Sequence, residues 1–275
     1  MIDSSRTSPA RGIIIPARYA SSRYPGKPLA MIRGARGEGA SLIERTWRAA
    51  RSVAGVDAVW IATDDDRVAD CARGFGADVL MTSASCANGT ERCAEAVQIL
   101  GDAAPEVLVN LQGDALLTPP AIVAALIARM EEEPALQVAT PAVRCSPSLY
   151  RHLVEDQAAG RVGGTTVVFD QAGDALYFSK RVLPHLPTDH PIDQDLPVHL
   201  HMGVYAYRAD ALRRYAATAP SLLEQLEGLE QLRFLDARVR VALVRCDPPD
   251  WDVIELNNPS DLAPIEAILK ARNLD

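Results

Sequence analysis

The chain has 275 residues, 48% hydrophobic and 23% charged, the proportions of a folded soluble domain with length enough for a large core. With 28 lysines and arginines against 36 acids the net charge is -8, which argues against a generic nucleic-acid surface and makes any local cationic loop informative. No apolar run approaches the ~20 residues of a membrane helix, and the start, MIDSSRTSPARG, reads as a short flexible lead over 1–11 without a signal-peptide core.

Ile13, Ile14 and Ile15 form a β-branched run that predicts a first strand buried on both faces. It breaks into PARYASSRYPGK, where Pro16 and Pro25–Gly26 turn the chain and Arg18, Arg23 and Lys27 bring cations around Ser21 and Ser22. SLIERTWRAARSV has helical spacing, with Ser41 as N-cap and Glu44 three residues on. AVWIATDDD (58–66) reads as a strand ending in acids, DRVADCARGFG as a helix closed by Gly74 or Gly76, and ADVLMTS as a strand. A helix GTERCAEAVQIL opened by Thr90 follows, then a strand EVLVNLQGDALL (106–117) ending in Gly113–Asp114, then a helix PPAIVAALIARMEEE. Repeated βα units predict an α/β fold with a parallel sheet covered by helices on both sides. From about residue 137 the texture is mixed β: LQVATPAVRC, GTTVVFD, ALYFSK, HMGVYAYR and VRVALVRC read as strands, and 184–200 as a proline- and histidine-rich loop. PSLLEQLEGLEQLRFL reads as one amphipathic helix, and PSDLAPIEAILKAR as the last helix, opening at Pro259 or Ser260.

Five scattered cysteines (Cys71, Cys86, Cys93, Cys145, Cys246) without a CxxC pair point to reduced thiols in a cytoplasmic enzyme and away from a zinc site. His185, His190, His199 and His201 lie in or next to the proline-rich stretch and read better as pocket lining than as a metal cluster.

In open α/β sheets, ligands collect beyond the carboxyl ends of the strands, and three strands here run into unusual residues: PARYASSRYPGK, ATDDD and NLQGD. Arg18, Arg23 and Lys27, with amides freed by a turn, suit a polyphosphate; the bland alternative is a solvated surface loop. The loop is neither a P-loop nor a GxGxxG turn, so ordinary ATPases and dehydrogenases fit poorly. Asp114 can hold magnesium, which needs one or two carboxylates plus phosphate oxygens, or can cap the helix that begins near Pro119–Pro120. Cations around phosphates with an Asp for metal describe phosphoryl or nucleotidyl transfer.

IIIPARYASSRYPGKPL resembles the opening signature of the CMP-Kdo synthetase (3-deoxy-manno-octulosonate cytidylyltransferase) family. The resemblance recurs in order through ATDDDRVAD, MTSASCANGTERCAEA, VLVNLQGD, ALYFSK, HMGVYAYR and LEGLEQLRFL. It implies a Rossmann-like nucleotidyltransferase fold over 12–275, with a CTP-binding half over 12–136 and an acceptor and dimerisation half over 137–275. It also implies a homodimer and Mg2+ as cofactor, while the acidic charge and the short apolar runs point to no nucleic-acid or membrane partner. Arg18, Ser21, Arg23 and Lys27 match the family's phosphate loop, and Pro16, Ala17, Asn88, Gly89, Thr90 and Arg92 its cytosine and ribose pocket. Gln112 and Asp114 match its metal-end motif; His201, Tyr205, Tyr207, Glu230 and Gln231 match positions near the acceptor, where Lys180 and Arg181 are further candidates.

The departures gather on the acceptor and metal side. The family's Glu-Pro-Leu after QGD is Ala115–Leu116–Leu117, its YFSR is YFSK at Lys180, and its second metal-binding Asp is Asn257, so that Asp252 or Glu255 becomes a candidate ligand. The resemblance implies transfer of CMP from CTP to an anionic acceptor, a 2-keto sugar acid such as Kdo, with catalysis by Lys27, Arg18 and Asp114. The departures admit a small phosphonate such as phosphonoformate instead, and Asn257 admits a non-catalytic nucleotide-binding relative.

Overall fold

The first strand, β1 (Arg11–Pro16), buries Ile13, Ile14 and Ile15 completely. Successive side chains point to opposite faces, so Ile13 and Ile15 join one core cluster and Ile14 another. Each isoleucine contributes on the order of 1.5–3 kcal/mol relative to exposure. The computed structural model describes residues 10–20, 24–193 and 195–275. Most of the expected lead, and the phosphate-loop residues Ser21 and Arg23, lie outside the described residues; of 1–11, Ala10 is described and Arg11 already belongs to β1.

A hairpin of β2 (Met31–Arg33) and β3 (Gly39–Ser41) leads into α1 (Leu42–Arg51), where the Ser41 hydroxyl accepts from the Glu44 amide at 3.3 Å, as its capping position predicts. βα alternation follows: β4 (Ala58–Thr63), α2 (Asp66–Gly74), β5 (Asp78–Met81), α3 (Gly89–Leu100), β6 (Val107–Leu111) and α4 (Pro120–Glu132). Strand β4 stops before its acids because Asp65 caps α2, accepting from the Arg67 amide at 3.0 Å. Helix α3 is capped by Asn88, whose Oδ1 accepts from the Glu91 amide at 2.8 Å, and not by Thr90, which sits buried inside the first turn. Strand β6 ends at Leu111, and Gln112–Asp114 form a turn.

The second half comprises β7 (Val138–Arg144), α5 (Pro147–Ala158), β8 (Thr166–Phe169), β9 (Ala175–Ser179), β10 (His199–His201) and β11 (Val204–Tyr207). Then come α6 (Ala209–Ala217), α7 (Leu222–Glu227), α8 (Leu232–Asp236), β12 (Val241–Cys246) and α9 (Leu262–Arg272). Helices α5 and α6 are not in the sequence reading, although Ser146–Pro147 is a cap-and-first-turn signal for α5. The single helix expected over PSLLEQLEGLEQLRFL is two. Gly228 takes φ 62°, ψ 40°, a left-handed cap that ends α7, and helix resumes only at Leu232.

Among the described residues ten strands form one sheet, in the order β5-β4-β1-β6-β11-β7-β10-β8-β9, with β12 also paired to β7. Strands β5, β4, β1 and β6 are mutually parallel, so Pro16, Thr63 and Leu111 end at the same edge. Strand β11 is antiparallel to β6, with Val204 opposite Leu111, and it therefore brings its beginning to that edge. His201 and Gly203 thus meet the carboxyl ends of the parallel strands. No helix among the described residues is long and apolar enough to cross a membrane.

Candidate active site

The strand ends open into a cavity of about 670 Å³. One wall comes from the chain leaving β1, where Pro16, Ala17, Arg18, Lys27 and Pro28 line it. The loop closes on itself through Gly26 N–H to the Tyr19 carbonyl at 3.0 Å and Lys27 N–H to the Tyr24 carbonyl at 3.1 Å. Arg67 lies over the Tyr19 ring, 3.3 Å from its centroid, and Asp65 holds that guanidinium at 3.0 and 2.7 Å.

The N-terminal end of α3 forms a second wall, with Asn88, Gly89 and Arg92 lining the cavity beside Cys86 and Ala87. A Cβ on Gly89 would lie 2.7 Å from Gln112 Nε2, so glycine is what lets the turn after β6 pack against α3. Gln112, Gly113 and Asp114 line the floor. Asp114 makes an ion pair with Lys27, Nζ to Oδ2, the two side chains being 18% and 17% exposed. The helix-cap reading of Asp114 is overturned: the N-cap of α4 is Pro119, with no side-chain cap.

The far end is lined by Gly164, Thr165, His201, Gly203 and Tyr205, and by Gly228–Gln231, which the break after α7 turns inward. Burial pushes His201 down to about 3, so the imidazole is neutral. The Thr140 hydroxyl donates to the Val204 carbonyl at 2.7 Å and so accepts from His201 Nε2, 2.9 Å away, which leaves Nδ1 as the acceptor. Burial lifts Glu230 to about 6, against the Thr90 amide that donates to it at 3.3 Å. Behind it, burial disfavours the Arg233 charge, but Glu224 at 2.6 Å and Glu91 at 3.2 Å outweigh that and raise its pKa.

Thr90 and Tyr207 do not line the cavity; their hydroxyls bond at 3.0 Å in the layer behind it. Lys180 sits at the rim, with Nζ 2.8 Å from where a Cβ on Gly228 would be. Arg181 is exposed, and its carbonyl accepts from Thr166 Oγ1 at 2.5 Å. Glu255 and Asn257 line the cavity, whereas Asp252 is exposed and does not. Of the four histidines only His201 lines it; His199 packs edge-on against Phe169, ring centroids 4.8 Å apart. Gly164 and Thr165 carry no sequence signal of their own, whereas Gly203 and Gly228 lie in HMGVYAYR and LEGLEQLRFL; all four line the site because antiparallel strands and a helix break bring them there.

Comparison with known proteins decides the family. The chain matches the cytidylyltransferase family profile over residues 12–241. This protein belongs to the cytidylyltransferase family. It is 41% identical over 258 residues to the 3-deoxy-manno-octulosonate cytidylyltransferase of Maricaulis maris, covering 94% of this chain and 96% of that one. It is 36% identical to the mitochondrial 3-deoxy-manno-octulosonate cytidylyltransferase of Arabidopsis thaliana, covering 95% and 83%. Among solved structures, a CMP:2-keto-3-deoxy-manno-octonic acid synthetase complexed with CTP superposes with TM-score 0.81 at 34% identity, over 96% of this chain and all of that one. A 4-diphosphocytidyl-2C-methyl-D-erythritol synthase from Anaerococcus prevotii, at TM-score 0.57 and 13% identity over 95% of this chain and 97% of that one, shares the fold. The cytidylyltransferase is thus a CTP-dependent nucleotidyltransferase built on a Rossmann-like α/β sheet.

Proposed function

We propose that this cytidylyltransferase moves CMP from CTP to 3-deoxy-manno-octulosonate (Kdo) and releases pyrophosphate. The observation that carries the reading is one continuous cavity, lined by Arg18, Lys27 and Asp114 at one end and by His201, Tyr205, Glu230 and Gln231 at the other. In this reading Arg18 and Lys27, with Ser21 and Arg23, hold the triphosphate. Pro16, Ala17, Asn88, Gly89, Arg92 and Gln112 enclose cytosine and ribose, and Thr90 and Tyr207 support them from behind.

Mg2+ fits this donor set. Asp114 already attracts a cation, the Lys27 ammonium, and Glu255 and Asn257 line the same cavity. Among the described residues no three His, Cys, Asp or Glu are grouped to hold a metal, so Asp114 and Glu255 would rely on phosphate oxygens, as magnesium sites commonly do. Bound there, magnesium supplies neutralisation of phosphate charge. The acceptor hydroxyl oxygen bonds to the α-phosphorus in line as the bond to the pyrophosphate oxygen breaks; its proton leaves to solvent and the electron pair leaves with pyrophosphate. Lys27 and Arg18 balance the charge that builds on the phosphates. His201, neutral, orients the acceptor through Nδ1, and no covalent enzyme intermediate is needed.

One observation favours a second acceptor class. Lys180, a point charge with a flexible stem, reaches the rim where the family's arginine would bring a planar fork, which suits a compact anion such as phosphonoformate. Incubation of the enzyme with CTP, magnesium and each acceptor, reading pyrophosphate release and the CMP adduct by mass, tests both. Turnover with Kdo supports the first reading, and turnover with phosphonoformate alone supports the second. CTP binding without turnover of either makes the chain a nucleotide-binding relative.

A homodimer goes with this reading. Leu222 and Leu226 on α7 are 71% and 74% exposed, and Leu176 on β9, at the end of the sheet, 61%. Glu227 ties these elements together by accepting from the Ser179 hydroxyl at 2.8 Å. Light scattering at the dimer mass supports the pairing, and a monomer refutes it.

A further inference from the structure

The acids that follow β4 sit in different surroundings. Asp65 caps α2 and steadies Arg67, but Asp64 does neither. Its side chain is 16% exposed, and its Oδ1 is buried without a hydrogen-bond partner among the described residues. The cation it faces is Arg92, whose Nη2 lies 3.6 Å from that oxygen. This is an ion-pair distance, too long for a hydrogen bond.

Arg92 projects from the first turn of α3, is 4% exposed, and lines the cavity. Its Nη1 donates to Thr82 Oγ1 at 2.6 Å and, more weakly, to the Ser83 carbonyl at 3.4 Å. A guanidinium has five N–H donors in a rigid fork. Two of them are spent on the segment after β5 and one faces Asp64, so the remainder are available to the cavity. A buried guanidinium needs a counter-charge to stay in place, and Asp64 is the carboxylate that faces it.

We propose that Asp64 is a positioning residue for nucleotide binding: from behind the cavity wall it neutralises Arg92 and fixes the direction in which that guanidinium presents its donors to CTP. The proposal rests on the reading that Arg92 belongs to the CTP pocket. It gives the acid after β4 a part in the site although Asp64 itself does not line the cavity. Thr82 is the second arm of the same bracket.

The test is direct CTP binding to the folded protein by calorimetry, with steady-state kinetics, for Asp64→Asn, Thr82→Val, Arg92→Gln and the Asp64→Asn/Arg92→Gln double variant. Asp64→Asn is expected to weaken CTP binding and raise KM for CTP about tenfold, the loss of one charge-assisted contact, while kcat at saturation stays within about threefold of wild type. Arg92→Gln should weaken binding at least as much, and the double variant no further than Arg92→Gln, because both act through one guanidinium. A purely structural Asp64 predicts something different: a lower melting temperature with unchanged CTP affinity in the folded fraction. If Arg92→Gln weakens CTP binding and Asp64→Asn does not, the positioning role is refuted and the pocket stands. If Arg92→Gln binds CTP like wild type, the assignment of Arg92 to the pocket fails and the proposal falls with it. Should neither single variant fold, Thr82→Val decides: a loss of roughly threefold in CTP affinity supports the bracket, and wild-type affinity overturns it.

Discussion

Asp114→Asn separates the observed ion pair with Lys27 from the metal role proposed for the same carboxylate, and the two effects move in opposite directions. In the free enzyme Asp114 holds the Lys27 ammonium in a partly buried ion pair. A triphosphate that enters without metal must draw Lys27 away and then lie close to the Asp114 charge. Two unit charges ~6 Å apart at an effective dielectric of ~20 interact by ~3 kcal/mol. Solvent and salt at an open cavity reduce that to roughly 1–2 kcal/mol. The amide has the same shape and no charge, so metal-free CTP should bind about five- to thirtyfold more tightly to Asp114→Asn. With magnesium the sign reverses. A neutral amide is a poor partner for the metal, and kcat/KM should fall about 10²- to 10³-fold, ~2.7–4 kcal/mol. Calorimetric CTP titrations with and without magnesium chloride, beside pyrophosphate release, measure both quantities. Weaker or unchanged metal-free CTP binding refutes the part given to the ion pair, and an unchanged magnesium dependence removes Asp114 from the metal site.

Lys27→Ala and Arg18→Ala should each lower kcat/KM about tenfold to a thousandfold, ~1.4–4 kcal/mol, and a variant with wild-type kinetics returns its residue to a solvated loop. Glu230, lifted by burial to about 6 from 4.5, costs the folded state most above that value, a cost relieved as pH falls through 6 towards 4.5. Glu230→Gln should therefore stabilise the protein by roughly 2 kcal/mol at pH 8, an advantage that vanishes below about pH 4.5 in thermal melts; a pH-independent change contradicts this. His201 has the opposite sign: depressed by burial to about 3 from 6.5, it loses stability as pH falls through that window. His201→Gln should flatten the acid limb of the melting curve, and an unaltered limb argues against a buried neutral imidazole. Gly228→Ala forces a left-handed alanine and puts its Cβ 2.8 Å from Lys180 Nζ. It should cost about 1 kcal/mol of stability and raise KM for the acceptor more than KM for CTP; equal effects on both would refute the placement of Gly228 and Lys180 at the acceptor end.

Periodicity and turn chemistry made the first half of the fold legible. The isoleucine run of β1, the Ser41 cap and the glycine-ended α2 are local signals, and parallel βα units send their strand ends to one edge by topology alone. That is why PARYASSRYPGK and NLQGD could be read as one site without coordinates. The second half resisted the same reading for a physical reason. Its strands pair antiparallel, so it is the chain before β11, and not the chain after it, that meets the site. One glycine in a left-handed conformation splits an apparently continuous amphipathic helix, and hydrophobic spacing does not register that break.

By itself, the sequence determined the α/β class, the family and a set of candidate residues, because these rest on short-range spacing and on motifs. Only the tertiary structure decided which of them share the cavity. It joined Lys27 to Asp114 across 87 residues and chose Glu255 and Asn257 over Asp252 as lining. It withdrew Thr90 and Tyr207 to the supporting layer and set Asp64 behind Arg92. These are long-range placements, set by strand register and by the burial of charges, which must find partners wherever the fold encloses them.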